Sequence, residues 1–413
     1  MSAFSIPLSG LAAASSTLNV IANNLANLNT DGYKDQTLSF ASIFNAAQGT
    51  SGNGDPIQTG DGVQVGGTTS NFTNGNLNST GVASNMALQG NGFFIVQGNN
   101  GQTNYTRSGD FTVNSQGQLC TPAGELVMGY PAVNGVVSTT SALKPIVVSQ
   151  AAILPASAST TFQMNTNLNA SAAVGDTFST PITVYDSLGE SHALSVTYTN
   201  AAPNSWNYSI TLPAADTGGT GAPTQIASGT MTFNSSGVLT SPTGSVSPIT
   251  ITGLADQAAP ITLKWSLADS SGNPLITQQD TASATADPTQ NGYAAGTLSG
   301  YSVLPDGTVQ GQFSNSQTLA IGQVAVATFA NNEGLIPVQN NDYEASFGSG
   351  AAVVGQASVA GDATITGGSV EESNVDLAKE FSNMIVAQQG YQASAKVLTT
   401  FNQVSQALLQ VTT

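Results

Sequence analysis

The sequence predicts a multidomain, mainly β protein with α-helical termini, in which discontinuous, nested β domains are carried on a coiled-coil pair of the N- and C-terminal helices. Three observations predict this fold class. Apolar residues recur at helical spacing near the N-terminus, and the same spacing recurs near the C-terminus. The sequence between the two ends is rich in Gly, Ser, Thr and Asn, with the short apolar runs and turn residues of β-strands. Partner helices at both ends indicate a chain built for assembly rather than for catalysis.

The N-terminal apolar stripe has the spacing of a helix that packs on another helix. Its residues alternate at steps of three and four: Leu11, Ala14, Leu18, Ile21, Leu25 and Leu28. We expect this helix to begin near Leu8, after Pro7, and to end before Asp31-Gly32, where glycine can terminate it.

The C-terminal stripe repeats the pattern over a longer segment. Its residues are Leu377, Phe381, Met384, Tyr391, Ala395 and Leu398, continued by Phe401, Val404, Leu408 and Val411. We expect a helix from Asn374 to about Val411, with Asn374 or Ser373 as its N-cap. The faces outside the stripe carry few charges, which favours contacts with other subunits; a monomeric two-helix hairpin that buries its own seam is the alternative.

The middle of the chain is predicted to form nested β domains. Glycine-rich sequence from Phe40 to Thr80 indicates an extended connector, and Ser187-Leu188-Gly189-Glu190 indicates a hairpin turn. The predicted domains are residues 1–33 with 372–413 for the helices, 34–80 for the connector, 81–154 with 291–371 for an inner β domain, and 155–290 for an inserted outer β domain.

The charge balance excludes classes of partner. The chain has 6 basic and 23 acidic residues and a formal charge of −17, so it lacks the clustered Lys and Arg that nucleic-acid binding requires. Residues 1–30 carry no charge, so the basic region of a secretory signal is absent, and repeated Asn residues argue against membrane insertion. With a single cysteine, Cys120, no intrachain disulfide can form. This composition is typical of an exported surface protein with an uncleaved N-terminus.

Candidate chemistry is sparse. His192 is the only histidine and lies beside the predicted turn without a nucleophile motif, so we expect a structural role rather than a catalytic triad. No cluster of Cys, His and carboxylates with ligand spacing is visible, and Gly90-Asn91-Gly92 lacks the dinucleotide fingerprint. Cys120 is expected to be a small apolar residue, with a reactive thiol as the alternative. We predict no catalytic residue, metal or cofactor.

The residues that carry a family resemblance lie at both ends and in the body. The N-terminal segments are Ala22-Asn23-Asn24-Leu25-Ala26-Asn27 and Gly32-Tyr33-Lys34; the C-terminal ones are Ser373-Asn374-Val375-Asp376-Leu377, Met384-Ile385-Val386-Ala387-Gln388 and Tyr391-Gln392. The body segments are Asn91-Gly92-Phe93-Phe94, Tyr105-Thr106-Arg107-Ser108-Gly109 and Phe329-Ala330-Asn331-Asn332-Glu333-Gly334-Leu335. Together they resemble bacterial flagellar rod and hook proteins. The β insertion after Pro155, with Thr183-Val184-Tyr185-Asp186, is similar to that of the hook members.

The resemblance implies a subunit of a curved, hollow tube that passes torque from rod to filament as a universal joint, with the terminal helices around an export channel. It implies partners as well: further copies of the chain, the rod protein, the hook cap, the hook–filament junction proteins and the flagellar type III export apparatus. It also implies an export recognition element of the pattern Phe-x-x-x-hydrophobic, which Phe40 to Phe44 fits. The alternatives are a distal rod protein and, from a different class, a secreted β-rich adhesin or binding protein; an enzyme is the most remote reading.

Overall fold

The computed structural model describes residues 4–44, 60–98, 100–149, 152–357 and 363–411. Its contacts divide the chain into two compact units. Unit 1 comprises Met1–Ser149, Gly300–Gly311 and Thr318–Thr413, and unit 2 comprises Gln150–Ser299 and Gln312–Gln317. The fold is mainly β with one α-helix at each end of the described chain, which confirms the predicted fold class. Unit 2 interrupts unit 1 in the sequence, and the insert predicted at 155–290 falls within its first segment.

The N-terminal helix, α1, spans Ser5–Ala26, and Pro7 lies in its first turn, where a missing N–H costs no helical hydrogen bond. The helix begins and ends earlier than the sequence predicted. The side-chain amide of Asn27 donates to the Asn23 carbonyl oxygen at 2.9 Å, and the chain then turns to Gly32, whose φ is 68°. By length and composition α1 could also cross a membrane, a test that core helices and signal sequences pass as well.

The C-terminal helix, α2, spans Leu377–Val411. Its N-cap is Asp376, whose Oδ1 accepts the N–H groups of Ala378 at 2.9 Å and Lys379 at 3.1 Å. The prediction that Asn374 or Ser373 caps this helix was therefore wrong. Asn374 is engaged elsewhere, because its amide donates to the Asn71 carbonyl oxygen at 2.8 Å and its Oδ1 accepts the N–H of Asp35 at 2.7 Å.

The described strands follow in chain order. Before unit 2 they are β1 (Gln36–Phe44), β2 (Gly60–Ser70), β3 (Leu77–Ser79), β4 (Met86–Gly90), β5 (Phe93–Gln97), β6 (Thr103–Thr106), β7 (Thr112–Val113), β8 (Leu119–Cys120), β9 (Leu126–Val133), β10 (Val136–Val137) and β11 (Lys144–Pro145). The next are β12 (Ile153–Leu154), β13 (Thr161–Asn169), β14 (Thr177–Tyr185), β15 (Ser191–Ala202), β16 (Ser205–Leu212), β17 (Thr224–Phe233), β18 (Leu239–Ser241), β19 (Ser245–Ile251), β20 (Ile261–Ser266), β21 (Ile276–Gln279) and β22 (Ala284–Gln290). The last are β23 (Gly296–Val303), β24 (Thr308–Phe313), β25 (Thr318–Thr328), β26 (Ile336–Pro337), β27 (Asp342–Glu344), β28 (Val353–Gln356), β29 (Ala363–Gly367) and β30 (Ser369–Glu371). Short 3-10 helices occupy Ala214–Thr217, Asn332–Gly334 and Gln339–Asn341.

Unit 1 is organised around a sheet that is buried on both faces. Its strands follow the order β25-β9-β5-β6-β27-β26. Phe94 and Val96 of β5 enter one apolar cluster, whereas Phe93 and Ile95 enter another, and all are at most 1 % exposed. Successive side chains of a strand point to opposite faces, so a strand that is apolar at every position is covered on both sides.

The connector predicted at 34–80 differs from the structure. Strands β1 and β2 form an antiparallel hairpin, with Gln36 opposite Ser70, and residues 45–59 lie outside the described part. The hairpin lies against α1, since Ser5 donates to Asp61 at 2.9 Å and the N–H of Val63 donates to Ser9 Oγ at 3.2 Å. One of the glycines that suggested an open connector is closely packed instead: a Cβ added at Gly66 would lie 3.1 Å from Ser39 Oγ.

Unit 2 is a β-sandwich with one apolar core. One sheet has the order β14-β15-β16-β17-β18, and the other has β19-β20-β13-β21 with β22 beside β13. Trp206 comes from the first sheet and Trp265 from the second, and both enter the same buried cluster. The predicted hairpin turn at 187–190 is present, because Tyr185 pairs with Ser191 across it.

Candidate assembly site: the helix pair and its junction with the sheet

Helices α1 and α2, hereafter the helix pair, pack against each other within unit 1. Small residues meet at one of their contacts: a Cβ added at Gly10 would lie 3.1 Å from Ser394 Oγ. At one end of the pair the rings of Phe4 and Phe401 are 6.2 Å apart. The predicted pairing of the two termini is therefore present within a single chain. The exposure of the seam residues then shows how much apolar surface the pair leaves uncovered.

The predicted seam residues of α1 are at least partly covered in the single chain. Ile21 is buried, and four others are half-buried: Leu11, Leu18, Leu25 and Leu28. Leu28 lies just beyond the end of α1. Because the half-buried leucines retain part of their surface, their burial between subunits stays a prediction.

The predicted seam residues of α2 are mostly exposed. Met384 and Leu398 are half-buried, whereas five are exposed: Leu377, Phe381, Tyr391, Phe401 and Val404. The side chain of Leu408 lies outside the described part of the structure. Among the α2 side chains that the structure describes, only Glu380 and Ala387 are buried. This helix of 35 residues therefore leaves most of its predicted seam side chains exposed in the single chain.

Two apolar grooves run between the helix pair and the β1–β2 hairpin. The first has a volume of about 480 Å³ and is lined by small and apolar side chains that include Ala13, Ile21, Leu38 and Ala387. The second, of about 560 Å³, is lined by residues that include Pro7, Val63 and Val397. Phe40 and Phe44, the predicted export recognition residues, lie on β1 and are 44 % and 62 % exposed.

A buried ion cluster, hereafter the junction, lies where the helix pair meets the sheet. Glu371 accepts from Lys34 Nζ at 2.7 Å and its Oε2 lies 3.6 Å from Arg107 Nη1, and all three side chains are fully buried. Lys34 also donates to the Thr73 carbonyl oxygen at 2.8 Å, and Arg107 donates to the Gly90 carbonyl oxygen at 2.8 Å. Burial lowers the pKa of Lys34, although the Glu371 carboxylate opposes that shift. The cluster thus joins three segments that are remote in the sequence.

Asn24 extends the junction into α1. Its side chain is buried and donates to the Gln36 carbonyl oxygen at 2.9 Å and to Glu380 of α2 at 3.3 Å. Its Oδ1 accepts from the Tyr33 hydroxyl at 3.1 Å. Burial and the charges of Asp35 and Glu380 raise the pKa of Tyr33 to about 12, so the hydroxyl keeps its proton. One amide therefore fixes α1 to both α2 and strand β1.

The junction gives the family-like segments a physical role. Asn24, Tyr33, Lys34, Arg107 and Asn374 all belong to segments that carried the resemblance, and the structure brings them together. Sequence reasoning missed Glu371, Gln36 and Glu380 as their partners. The signal available was weak: two of the six basic residues of the chain, Lys34 and Arg107, lie inside the segments that carried the resemblance. Because removing one partner leaves the others buried and uncompensated, we expect the loss of any one of these charged side chains to destabilise unit 1.

The residues singled out for chemistry lie elsewhere. Cys120 is buried on β8, with its sulfur 3.6 Å from the Thr112 hydroxyl. His192 is buried between two carboxylates, 2.9 Å from Asp216 and 3.2 Å from Asp186. Burial lowers the pKa of His192, but the hydrogen bonds and charges of Asp216 and Asp186 raise it overall. The sequence showed no cluster of ligand-type residues, yet the fold brings Asp186, His192 and Asp256 together.

Comparison with protein families gives matches along most of the chain. The matching models are Flagella basal body rod protein at residues 6–34, Flagellar hook protein FlgE/F/G D1 domain at 87–187, Flagellar basal body protein FlaE D2 domain at 154–293, and Flagellar basal body rod FlgEFG protein C-terminal at 366–411. The terminal matches coincide with the helix pair, and the D2 match coincides with the first segment of unit 2.

Full-length relatives agree. The flagellar hook protein FlgE of Escherichia coli (strain K12) is 36% identical over 99% of this chain and 100% of its own length. That of Salmonella typhimurium is 36% identical over 99% of both chains, and that of Rhizobium meliloti is 31% identical over 98% of this chain and 97% of its own. The crystal structure of Helicobacter pylori flagellar hook protein FlgE2 shares the fold, with a TM-score of 0.51 and 14% identity over 70% of this chain and 98% of that one. This chain belongs to the flagellar hook protein family.

Proposed function

We propose that this chain is a structural subunit of the bacterial flagellar hook, which polymerises into a curved hollow tube, encloses the export channel and transmits torque from rod to filament as a universal joint. The observation that carries the proposal is the exposed apolar surface of α2. Phe381 is 50 % exposed and Val404 is 52 % exposed on a helix that is paired with α1 but otherwise uncovered over most of its described length. Copies of the same helix pair would cover that surface in a tube wall.

The physical properties of the two units suit a joint. A tube that bends while rotating needs firm contacts along its core and weak contacts outside. The helix pair, held by the buried junction, supplies rigid apolar surfaces. The polar, weakly charged strands of the β units supply surfaces that can slide with little change in energy, because few of the ion pairs among the described residues lie at the surface.

The proposal includes partners and location. Further copies of the chain form the polymer, and the rod protein, hook cap and hook–filament junction proteins contact its ends. The subunit leaves the cell through the flagellar type III export apparatus without cleavage of an N-terminal signal and works outside the cell. Phe40 and Phe44 form the export recognition element. The family is a structural one, so we propose no catalytic activity.

Electron microscopy of material purified from cells tests this proposal. Short curved tubes of one diameter support a hook subunit. Straight rods would assign the chain to the distal rod, and monomers that bind a glycan or a host protein would assign it to the adhesin class. Neither alternative is favoured by the relatives, since those matched over their full length are hook proteins.

A further inference from the structure

We infer that Asp186, His192 and Asp256 of unit 2 bind a divalent transition-metal ion, with Asp216 orienting the histidine. This inference goes beyond the proposed function. The residues come from separate segments: the start of the β14–β15 turn, strand β15 and the loop between β19 and β20, with Asp216 in the 3-10 helix Ala214–Thr217. One ligand atom from each of Asp186, His192 and Asp256 lies within 4.8 Å of the other two.

The histidine is held in the orientation that metal binding requires. Nδ1 of His192 contacts Asp216 Oδ2 at 2.9 Å, which leaves Nε2 facing Asp186 Oδ2 at 3.2 Å. Two ligands about 2.0 Å from a tetrahedral ion lie ~3.3 Å apart, so this pair already has nearly the required spacing. A carboxylate on the second ring nitrogen is the usual way in which proteins fix a metal-binding histidine. His192 is only 4 % exposed, so its ring has little freedom to turn away.

Asp186 is oriented just as firmly. Its Oδ1 accepts the backbone N–H groups of Leu188 at 2.8 Å, Gly189 at 2.7 Å and Glu190 at 2.9 Å. Because one oxygen is committed to the turn, the other is directed at His192. The carboxylate is fully buried. Asp256 is exposed, so an ion and its remaining water ligands can enter from this side.

The charge of the cluster favours a cation. Three carboxylates, those of Asp186, Asp216 and Asp256, surround a single imidazole. In the part of the chain that the structure describes, the ion pairs of Asp186 and Asp216 are with His192 alone. A divalent ion would offset two of these three negative charges, whereas a proton on the imidazole would offset one. One nitrogen and two carboxylate oxygens suit Zn²⁺ or a neighbouring first-row ion better than Mg²⁺ or Ca²⁺, which prefer all-oxygen sites.

The bound ion would tie three segments of unit 2 together. The N–H of Ala259 already donates to Ser187 Oγ at 3.0 Å, and the N–H of Ala255 donates to the Asp216 carbonyl oxygen at 2.9 Å. These contacts hold the turn, the loop and the 3-10 helix near one another before metal arrives. An ion at this point therefore acts as a cross-link on a nearly formed site.

The test titrates the metal-depleted full-length chain with Zn²⁺ by calorimetry and with Co²⁺ by visible absorption. We expect one saturable site that Mg²⁺ does not occupy. In Asp256→Asn the side-chain oxygen can still accept the N–H of Ala258, but the charged ligand is lost, so Zn²⁺ binding should weaken at least about tenfold. Asp216→Asn changes the residue that positions His192 and should weaken Zn²⁺ binding about 10–100-fold. Asp269→Asn, which removes a half-buried turn carboxylate of the same unit outside the cluster, is the matched control and should leave the affinity unchanged.

Fluorescence of Trp206 and Trp265, both in the unit 2 core, reports whether each variant is folded. Absence of saturable Zn²⁺ binding in the wild-type chain would overturn the inference. So would equal Zn²⁺ affinity in the wild type and in folded Asp256→Asn, or binding of Mg²⁺ as tight as that of Zn²⁺, because each result would mean that the histidine–carboxylate set is not the ligand set.

Discussion

Strand β15 of unit 2 and helix α2 of unit 1 both carry large apolar side chains, but they differ in where those side chains are buried. In β15, Leu194, Val196 and Tyr198 are completely buried inside the sandwich. In α2, Phe381 remains 50 % exposed, and of the described side chains only Glu380 and Ala387 are buried. Unit 2 thus completes its core within one chain, whereas the helix pair leaves large apolar side chains exposed. We expect other copies to cover these side chains in the assembled tube, which would separate folding from assembly within the molecule.

The largest expected effect tests the assembly half of this comparison. Phe381→Asp should abolish polymer formation, because burying an unpaired carboxylate between subunits costs several kcal/mol at every contact. The free subunit should keep its thermal stability, since Phe381 is already 50 % exposed. Electron microscopy and sedimentation measure the polymer. Leu188→Asp, at a 64 % exposed position of the unit 2 turn, is the control and should assemble normally. Tubes of normal length from Phe381→Asp would show that this face of α2 is not an interface.

The next effect concerns the junction. Glu371→Gln leaves Lys34 and Arg107 buried without their carboxylate, and should lower the free energy of unfolding of unit 1 by about 3–5 kcal/mol. Calorimetry should show that the unfolding transition of unit 1 moves to a lower temperature. Tryptophan fluorescence should not change, because Trp206 and Trp265 both lie in unit 2. Glu372→Gln, at the exposed neighbouring position, should leave both transitions in place. If the unfolding transition of unit 1 did not shift in Glu371→Gln, the junction would not be what stabilises unit 1.

A smaller effect depends on pH. Burial, with the nearby Glu125 carboxyl, raises the pKa of Asp342 in unit 1 from 3.8 to about 8. Between those values the folded chain holds a proton that the unfolded chain has lost, so the free energy of unfolding falls as pH rises. Asp342→Asn should flatten this dependence and stabilise unit 1 at pH 8 by about 1–3 kcal/mol. Urea unfolding at several pH values measures both. Asp306→Asn, in an exposed turn of unit 1, should keep the wild-type slope, and an equal slope in Asp342→Asn would contradict the assignment.

Local structure could be predicted from the sequence, whereas contacts between residues distant in the sequence could not. The helices were predictable because alternating steps of three and four are a property of neighbouring residues, and the turn at 187–190 was predictable from its glycine. The N-cap was missed because Asn374, a good capping residue, is bonded to Asn71 and Asp35 instead. The hairpin of β1 and β2 was missed because its glycines resemble those of an open connector.

The candidate sites show the same limit. Lys34 and Glu371 are separated by 337 positions, and no local spacing relates them. Asp216 and Asp256 lie near His192 only because the fold of unit 2 brings their segments together. The single histidine was correctly assigned a place beside the turn, but its carboxylate neighbours come from a 3-10 helix and a loop that carry no motif. What the sequence lacked in each case was the sheet topology that brings distant segments together.

The smallest expected effect tests the folding half of the comparison. Residues 150–299 expressed alone should unfold cooperatively, with a free energy of unfolding within about 1 kcal/mol of unit 2 in the full chain. The reason is that every buried residue of the unit 2 core lies between Phe162 and Ile276. The fragment loses only the short segment Gln312–Gln317, of which Asn315 donates to the Ala294 carbonyl oxygen at 2.7 Å. Urea unfolding followed by tryptophan fluorescence measures the difference.

The matched control is residues 36–149, which form most of the first segment of unit 1. This fragment contains β5 and β9 but lacks β25, which pairs with both of them, and Glu371, which faces Arg107 in the junction. It should therefore fail to unfold cooperatively, since its central strands have an open edge and Arg107 has lost its carboxylate. If residues 36–149 folded as well as residues 150–299, continuity in the sequence would not explain why one unit is self-sufficient. If residues 150–299 failed to fold, unit 2 would depend on contacts beyond its own core, and the contrast between β15 and α2 would no longer separate folding from assembly.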